Sequence, residues 1–91
     1  MPKRLYREIT EQMSGTRFRF AYDGTNPTGL HIEVRHEVRA DEAIRAYLER
    51  QTTNWNEMHK RWESESETHV LFWALHASGA VLVITCFRKE E

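Results

Sequence analysis

The stretch HIEVRHEVR, residues 31–39, packs two imidazoles, two carboxylates and two guanidiniums into nine positions. Its alternation reads as an extended strand. His31, Glu33, Arg35, Glu37 and Arg39 then share one face, and Ile32, Val34, His36 and Val38 share the other. Successive side chains on a face stand about 7 Å apart. A base, an acid and a phosphate-binding cation on one sheet face are the parts of a metal-independent ribonuclease. A carboxylate or imidazole takes the 2′-proton, an imidazolium protonates the leaving oxygen, and Arg neutralises the pentavalent phosphate. His31, Glu33 and Arg35 are the candidate catalytic residues of that reading, with His69 or His76 as a second imidazole. The plainer reading is that charge lines the wet face of a hairpin, where cross-strand pairs contribute a few tenths of a kcal/mol each. The plainer reading leads.

Other side chains suggest sites by type but fail by spacing. His31, His36, His59, His69, His76 and Cys86 are zinc ligands in kind. None has the sequence context of a structural finger, and His31 and His36 fall on opposite faces of a strand. No metal and no cofactor is expected. DGTNPTG, residues 23–29, lacks the GxxxxGK[ST] pattern of a phosphate loop and reads as a hairpin tip. Binding candidates are Arg17, Arg19 and Arg35 as a local cationic surface, Asn26 at the loop tip, and Trp62 near a helix end, where aromatic residues anchor interfaces.

Elements that would position these residues follow from periodicity. Leu5, Ile9 and Met13 recur at helical spacing over residues 3–13, with Pro2 before them and Gly15 after. TRFRFAY, residues 16–22, alternates Phe18, Phe20 and Tyr22 against Arg17, Arg19 and Ala21. Paired with residues 30–38 it makes a hairpin that sets Phe20 against Ile32, Phe18 against Val34 and Arg19 against Glu33. Asp41 is a good N-cap for a helix over about 41–63, whose stripe is Ile44, Leu48, Gln51, Trp55, Met58 and Trp62. Thr52, Thr53, Asn54 and Asn56 are poor helix formers and mark a kink or split near residue 53. ESESETH reads as a polar linker. VLFWALH and VLVITCF make a second hairpin turning at Ser78-Gly79, apolar on both faces and therefore central.

The expected architecture is one α+β domain over residues 1–91, in the order αββαββ. A four-stranded antiparallel sheet of two hairpins carries both helices on one face. The expected core includes Phe18, Phe20, Ile32, Val34 and Trp55.

Composition narrows the function classes. Thirteen Lys and Arg against fourteen Asp and Glu leave a net charge of −1, against the basic excess usual in nucleic-acid binders. A single cysteine rules out an intramolecular disulfide. MPKRLYREIT lacks the apolar run of a secretory signal, and the longest apolar stretch is broken by His76, Ser78 and Gly79, so no membrane span and a cytoplasmic location are expected. The leading expectation is a small non-enzymatic module that binds a protein partner, as an inhibitor, immunity protein or regulatory adaptor does. It carries a homodimer contact through the second hairpin. Metal-independent ribonuclease is the alternative, and nucleic-acid binding without cleavage is not favoured.

Overall fold

The computed structural model describes residues 6–24 and 26–90. Among them the order is β1 (Tyr6–Thr10), β2 (Arg17–Asp23), β3 (Asn26–Leu30), α1 (His31–His36), α2 (Ala40–Leu48), β4 (Thr52–Asn56), β5 (Arg61–Glu65), β6 (His69–Leu75) and β7 (Val81–Arg88). The strands make one seven-stranded sheet along the path β1-β2-β7-β6-β5-β4, with β3 joined to β2. β2 and β7 run parallel, and the other pairs are antiparallel. The expected αββαββ sandwich with a four-stranded antiparallel sheet is therefore wrong. The protein is mostly sheet, and both helices are short. No described helix is long and apolar enough to cross a membrane.

Three elements change identity, each for a physical reason. The expected N-terminal helix is β1, with Leu5 outside the described residues. Ile9 pairs with Phe18, Glu8 with Arg19 and Arg7 with Phe20, so β1 occupies the edge of β2 assigned above to residues 30–38. Met13, on the expected helical stripe, is 96% exposed. It lies in a turn that the Glu11 carboxylate closes by accepting from the backbone N–H of Met13 and Ser14, with Gly15 at φ 73°. A helix this short is marginal alone, and strand pairing outweighs its propensity.

The opening stretch is α1 instead of a strand. Leu30 enters it in extended conformation, and the Glu33 carboxylate reaches back to accept from the Leu30 N–H at 3.1 Å, half of a capping box. Glu37, left-handed at φ 55°, ends the helix. Ile32 and Val38 are buried while Val34 is 39% exposed. Apolar residues two apart therefore do not share a face here. The loop expected over residues 23–29 contains β3. Asn26 pairs by backbone with Asp23, and its side chain lies outside what is described.

The expected helix over 41–63 splits where Thr52, Thr53 and Asn54 stand. α2 ends at Leu48, and β4 and β5 form a hairpin pairing Trp55 with Trp62. The ESESETH linker is the end of β5 and a tight turn. Ser64 is buried and accepts from Trp73 Nε1 at 2.9 Å, while Ser66 Oγ accepts from the His69 N–H. The second hairpin is placed as expected: β6 and β7 pair antiparallel and lie between β5 and β2.

The core lies between one sheet face and the helices. Phe18, Phe20, Leu71, Trp73, Val81, Val83 and Cys86 meet Ile32, Val38, Ala43, Ile44 and Ala46. Tyr47 stands edge-on to both Phe18 and Trp73, with ring centroids 5.3 and 5.1 Å away. Trp55, expected in the core, is 45% exposed on the outermost strand. Burial pushes the Cys86 thiol up to about 12, helped by the nearby Glu42 charge and opposed by Arg88, so this cysteine is an inert core residue.

Glu42 ties the helix layer to the sheet. Its carboxylate accepts from Arg88 at 2.8 Å and faces His69 Nε2 at 3.1 Å, while Arg88 also donates to the Glu37 carbonyl. Desolvation alone would raise the Glu42 carboxyl. The hydrogen bonds from Arg88, the Arg39 N–H and His69 outweigh it and hold the carboxyl below its ordinary value. A depressed carboxyl stabilises the fold above its unfolded pKa, and that stability is lost as pH falls through the folded one. Glu42→Gln is therefore expected to lower Tm at neutral pH and to lose less Tm than the parent on acidification. Equal acid sensitivity in melts from neutral to acidic pH would refute this role.

Candidate functional site

α2 packs on β5 and β6, and α1 lies against β7 and β2, so the face opposite the core is left without a helix over the middle of the sheet. Strand alternation decides what it displays. Phe18, Phe20, Leu71, Trp73, Val81 and Val83 turn inward. Their neighbours Arg19, Phe72, Ala74 and Leu82 therefore turn outward, with Glu8 across from Arg19 and Leu82 across from Ala74.

Four charged or titratable side chains from separate parts of the chain converge on this face. Glu8 Oε1 lies 3.3 Å from Arg19 Nε and 3.7 Å from Arg17 Nη1. Arg19 Nη1 lies 3.3 Å from His76 Nε2. Arg17 Nη2 donates to the Ser78 carbonyl, fixing β2 to the turn between β6 and β7. Gly79, at φ 89°, lets that turn close against the Arg17 guanidinium. Two guanidiniums share one carboxylate, so the cluster keeps a positive charge in excess.

Both nitrogens of the His76 ring face donors. The Ser78 N–H meets Nδ1 at 3.0 Å, and the Ser78 hydroxyl is 2.8 Å from the same nitrogen. Arg19 meets Nε2. A neutral imidazole has one lone pair and accepts from one side; an imidazolium accepts from neither.

Beside the cluster lies a small cavity of ≈ 110 Å³, lined by Tyr6, Ala21, His31, Leu82, Val83 and Ile84. Tyr6 and Ala21 are each two residues along their strand from Glu8 and Arg19, so the cavity continues the same face. Farther across, the Arg61 guanidinium stacks 4.0 Å from the centre of the Phe72 ring and pairs with Glu63 at 2.9 Å. Phe72 stands edge-on to Phe87, centroids 5.8 Å apart.

The residues singled out in the sequence scatter. His31, Glu33 and Arg35 do not share a strand face. Arg35 and His31 both approach the buried Asp23, at 2.9 and 4.0 Å, while Glu33 is used as a helix cap. Of the three, His31 borders the cavity. Arg17 and Arg19 do stand on an exposed sheet face, but opposite Glu8 instead of Glu33. Arg35 is separated from them by its role on Asp23. Trp62 is half-buried, edge-on to Trp55 and stacked on Trp73. Glu8 was missed because residues 3–13 read as a helix. His76 was named only as a second imidazole, and its partner Arg19 is 57 residues away. Among the described residues no group of three or more His, Cys, Asp and Glu side chains could hold a metal ion. No protein-family model, no curated protein and no solved structure matches this chain.

Proposed function

We propose that the protein cleaves RNA without a metal, at the face displaying Glu8, Arg17, Arg19 and His76. One observation carries this reading: an imidazole, two guanidiniums and a carboxylate form a run of contacts of 3.3 to 3.7 Å although they come from β1, β2 and the end of β6. Interfaces that only bind protein deplete charge from their centre. Here charge is gathered. His76 takes the 2′-hydroxyl proton, the freed oxygen attacks the adjacent phosphorus, and the P–O5′ bond breaks as the departing 5′-oxygen takes a proton from water, leaving a 2′,3′-cyclic phosphate. Arg17 and Arg19 receive the charge that builds on the phosphate oxygens. Glu8 holds the two guanidiniums side by side. The Arg61 guanidinium, held flat on Phe72, offers a planar surface on which an unpaired base can stack. This replaces the expected His31, Glu33 and Arg35 set with a different set of the same chemistry. The test is RNA cleavage in EDTA by the parent and by His76→Ala, with a 2′,3′-cyclic phosphate end as the product.

A second reading keeps the leading expectation from the sequence, a protein-binding module. The observation favouring it is the apolar strip of Phe72, Ala74 and Leu82 along the middle of the same face, bordered by the Arg61–Glu63 and Arg19–Glu8 pairs. A photo-crosslinker placed at Ala74 is expected, on this reading, to give one discrete adduct in the cells that make the protein. Placed at Asp41 in the helix layer it should give none. Equal labelling at both positions, or none at Ala74, would rule the module out.

A further inference from the structure

The path of the sheet ends at β4, and the outer edge of Thr52–Asn56 pairs with no described strand. An open edge offers a row of unpaired backbone donors and acceptors. Proteins usually protect such edges with charge, proline or a bulge. β1, at the other end of the path, has that protection in Arg7 and Glu8. β4 has none. Its sequence is Thr-Thr-Asn-Trp-Asn, uncharged in a chain that is 30% charged. It pairs with β5 through five consecutive positions without a register shift.

We infer that β4 pairs antiparallel with β4 of a second copy of this chain. Centred on Asn54, the strand is its own complement: Thr53 falls opposite Trp55 of the other copy, Thr52 opposite Asn56, and no like charges meet. That is a closed two-fold contact, the same strand serving on both sides. It also explains Trp55. This ring extends a ladder from the core outward, 5.0 Å from Trp62, which stacks 5.9 Å from Trp73. The ladder stops at a half-exposed tryptophan on the last strand. α2 reaches β6 and β5, so the ladder's outer end needs another cover. Thr53 and Trp55 of a second copy supply it. With the two-fold axis perpendicular to the sheet, both helix layers lie on one side. The faces bearing His76 then join into one continuous surface on the other. The second hairpin, expected from the sequence to make a dimer contact with its uncovered apolar face, has no free edge for strand pairing, because β2 and β5 take both.

The test uses the full chain. Sedimentation velocity at about 100 µM, well above the micromolar Kd of many transient contacts, is expected to show twice the monomer mass for the parent. Trp55→Lys, a change at an already exposed position, is expected to give a folded monomer by circular dichroism. Asn54→Cys treated with a short bismaleimide should join two chains, because Cys86 is wholly buried and leaves residue 54 as the reactive thiol. Arg7→Cys on the opposite edge should not cross-link. A monomeric parent overturns the inference. So does a dimer that survives Trp55→Lys, or one that Asn54→Cys fails to cross-link. RNA cleavage by the parent is read separately, so loss of the dimer and loss of the activity are distinguishable.

Discussion

His76→Ala is expected to slow EDTA-resistant RNA cleavage by about 10²–10⁴-fold, the range that one general acid or base contributes. His76 sits just past β6, half-buried and outside the core, so the fold should survive; a cooperative melt, lowered by no more than the lost Ser78 contacts, is part of the expected result. Arg19→Ala should lose activity comparably, because it removes a guanidinium that faces both the imidazole and Glu8. Arg35→Ala, held at Asp23 apart from the Glu8–Arg19–His76 contacts, should leave the rate unchanged. Identical purification of parent and variants controls for a contaminating nuclease. If the parent leaves RNA as intact as a blank, or if cleavage survives His76→Ala, the proposed activity is wrong. The protein-binding reading of the same face would then stand in its place.

Phe18→Ala is expected to destabilise the protein by about 3–5 kcal/mol. Phe18 is fully buried, lies between Ile9 on one strand and Val81 on the next, and stands edge-on to Tyr47. Its removal leaves a cavity where sheet and helix layer meet. Small domains hold roughly 5–15 kcal/mol in total, so most of the variant should be unfolded in low urea. Val34→Ala, on the exposed side of α1, is the internal control and should cost under about 1 kcal/mol. The contrast matters because the strand reading of residues 30–38 placed Phe18 and Val34 opposite each other in one core. Equal losses for the two substitutions would restore that register and refute the pairing of β2 with β1.

How much was legible depended on whether the signal was local. VLFWALH and VLVITCF are each continuously apolar with a Ser-Gly turn between them, and neighbouring residues alone identify that hairpin. TRFRFAY alternates so cleanly that β2 and its buried Phe18 and Phe20 follow directly. Alternation misled at residues 30–38, because charged and apolar residues two apart are equally compatible with a short helix that buries Ile32 and is followed by a buried Val38. A cap decides between the two: Glu33 reaching back to Leu30 and Glu37 turning left-handed. Neither feature shows in a hydrophobic pattern. Over residues 41–63 the stripe from Ile44 to Trp62 fits a helix. Thr52, Thr53 and Asn54 weaken it, and their place opposite Glu65, Ser64 and Glu63 made them a strand.

By itself the sequence determined the buried aromatic pair of β2, the central hairpin, the want of a metal-ligand motif and an almost balanced charge. It also determined that Arg17 and Arg19 stand on the polar side of their strand. Only the tertiary structure decided what they face. Residues 6–10, too few for a stable helix, paired with β2 and brought Glu8 beside both arginines. The parallel pairing of β2 with β7 then carried the Ser78 turn, and His76 with it, to the same place. Both pairings join residues distant in the chain. Their free energy comes from backbone hydrogen bonds and buried area that no short window of sequence contains.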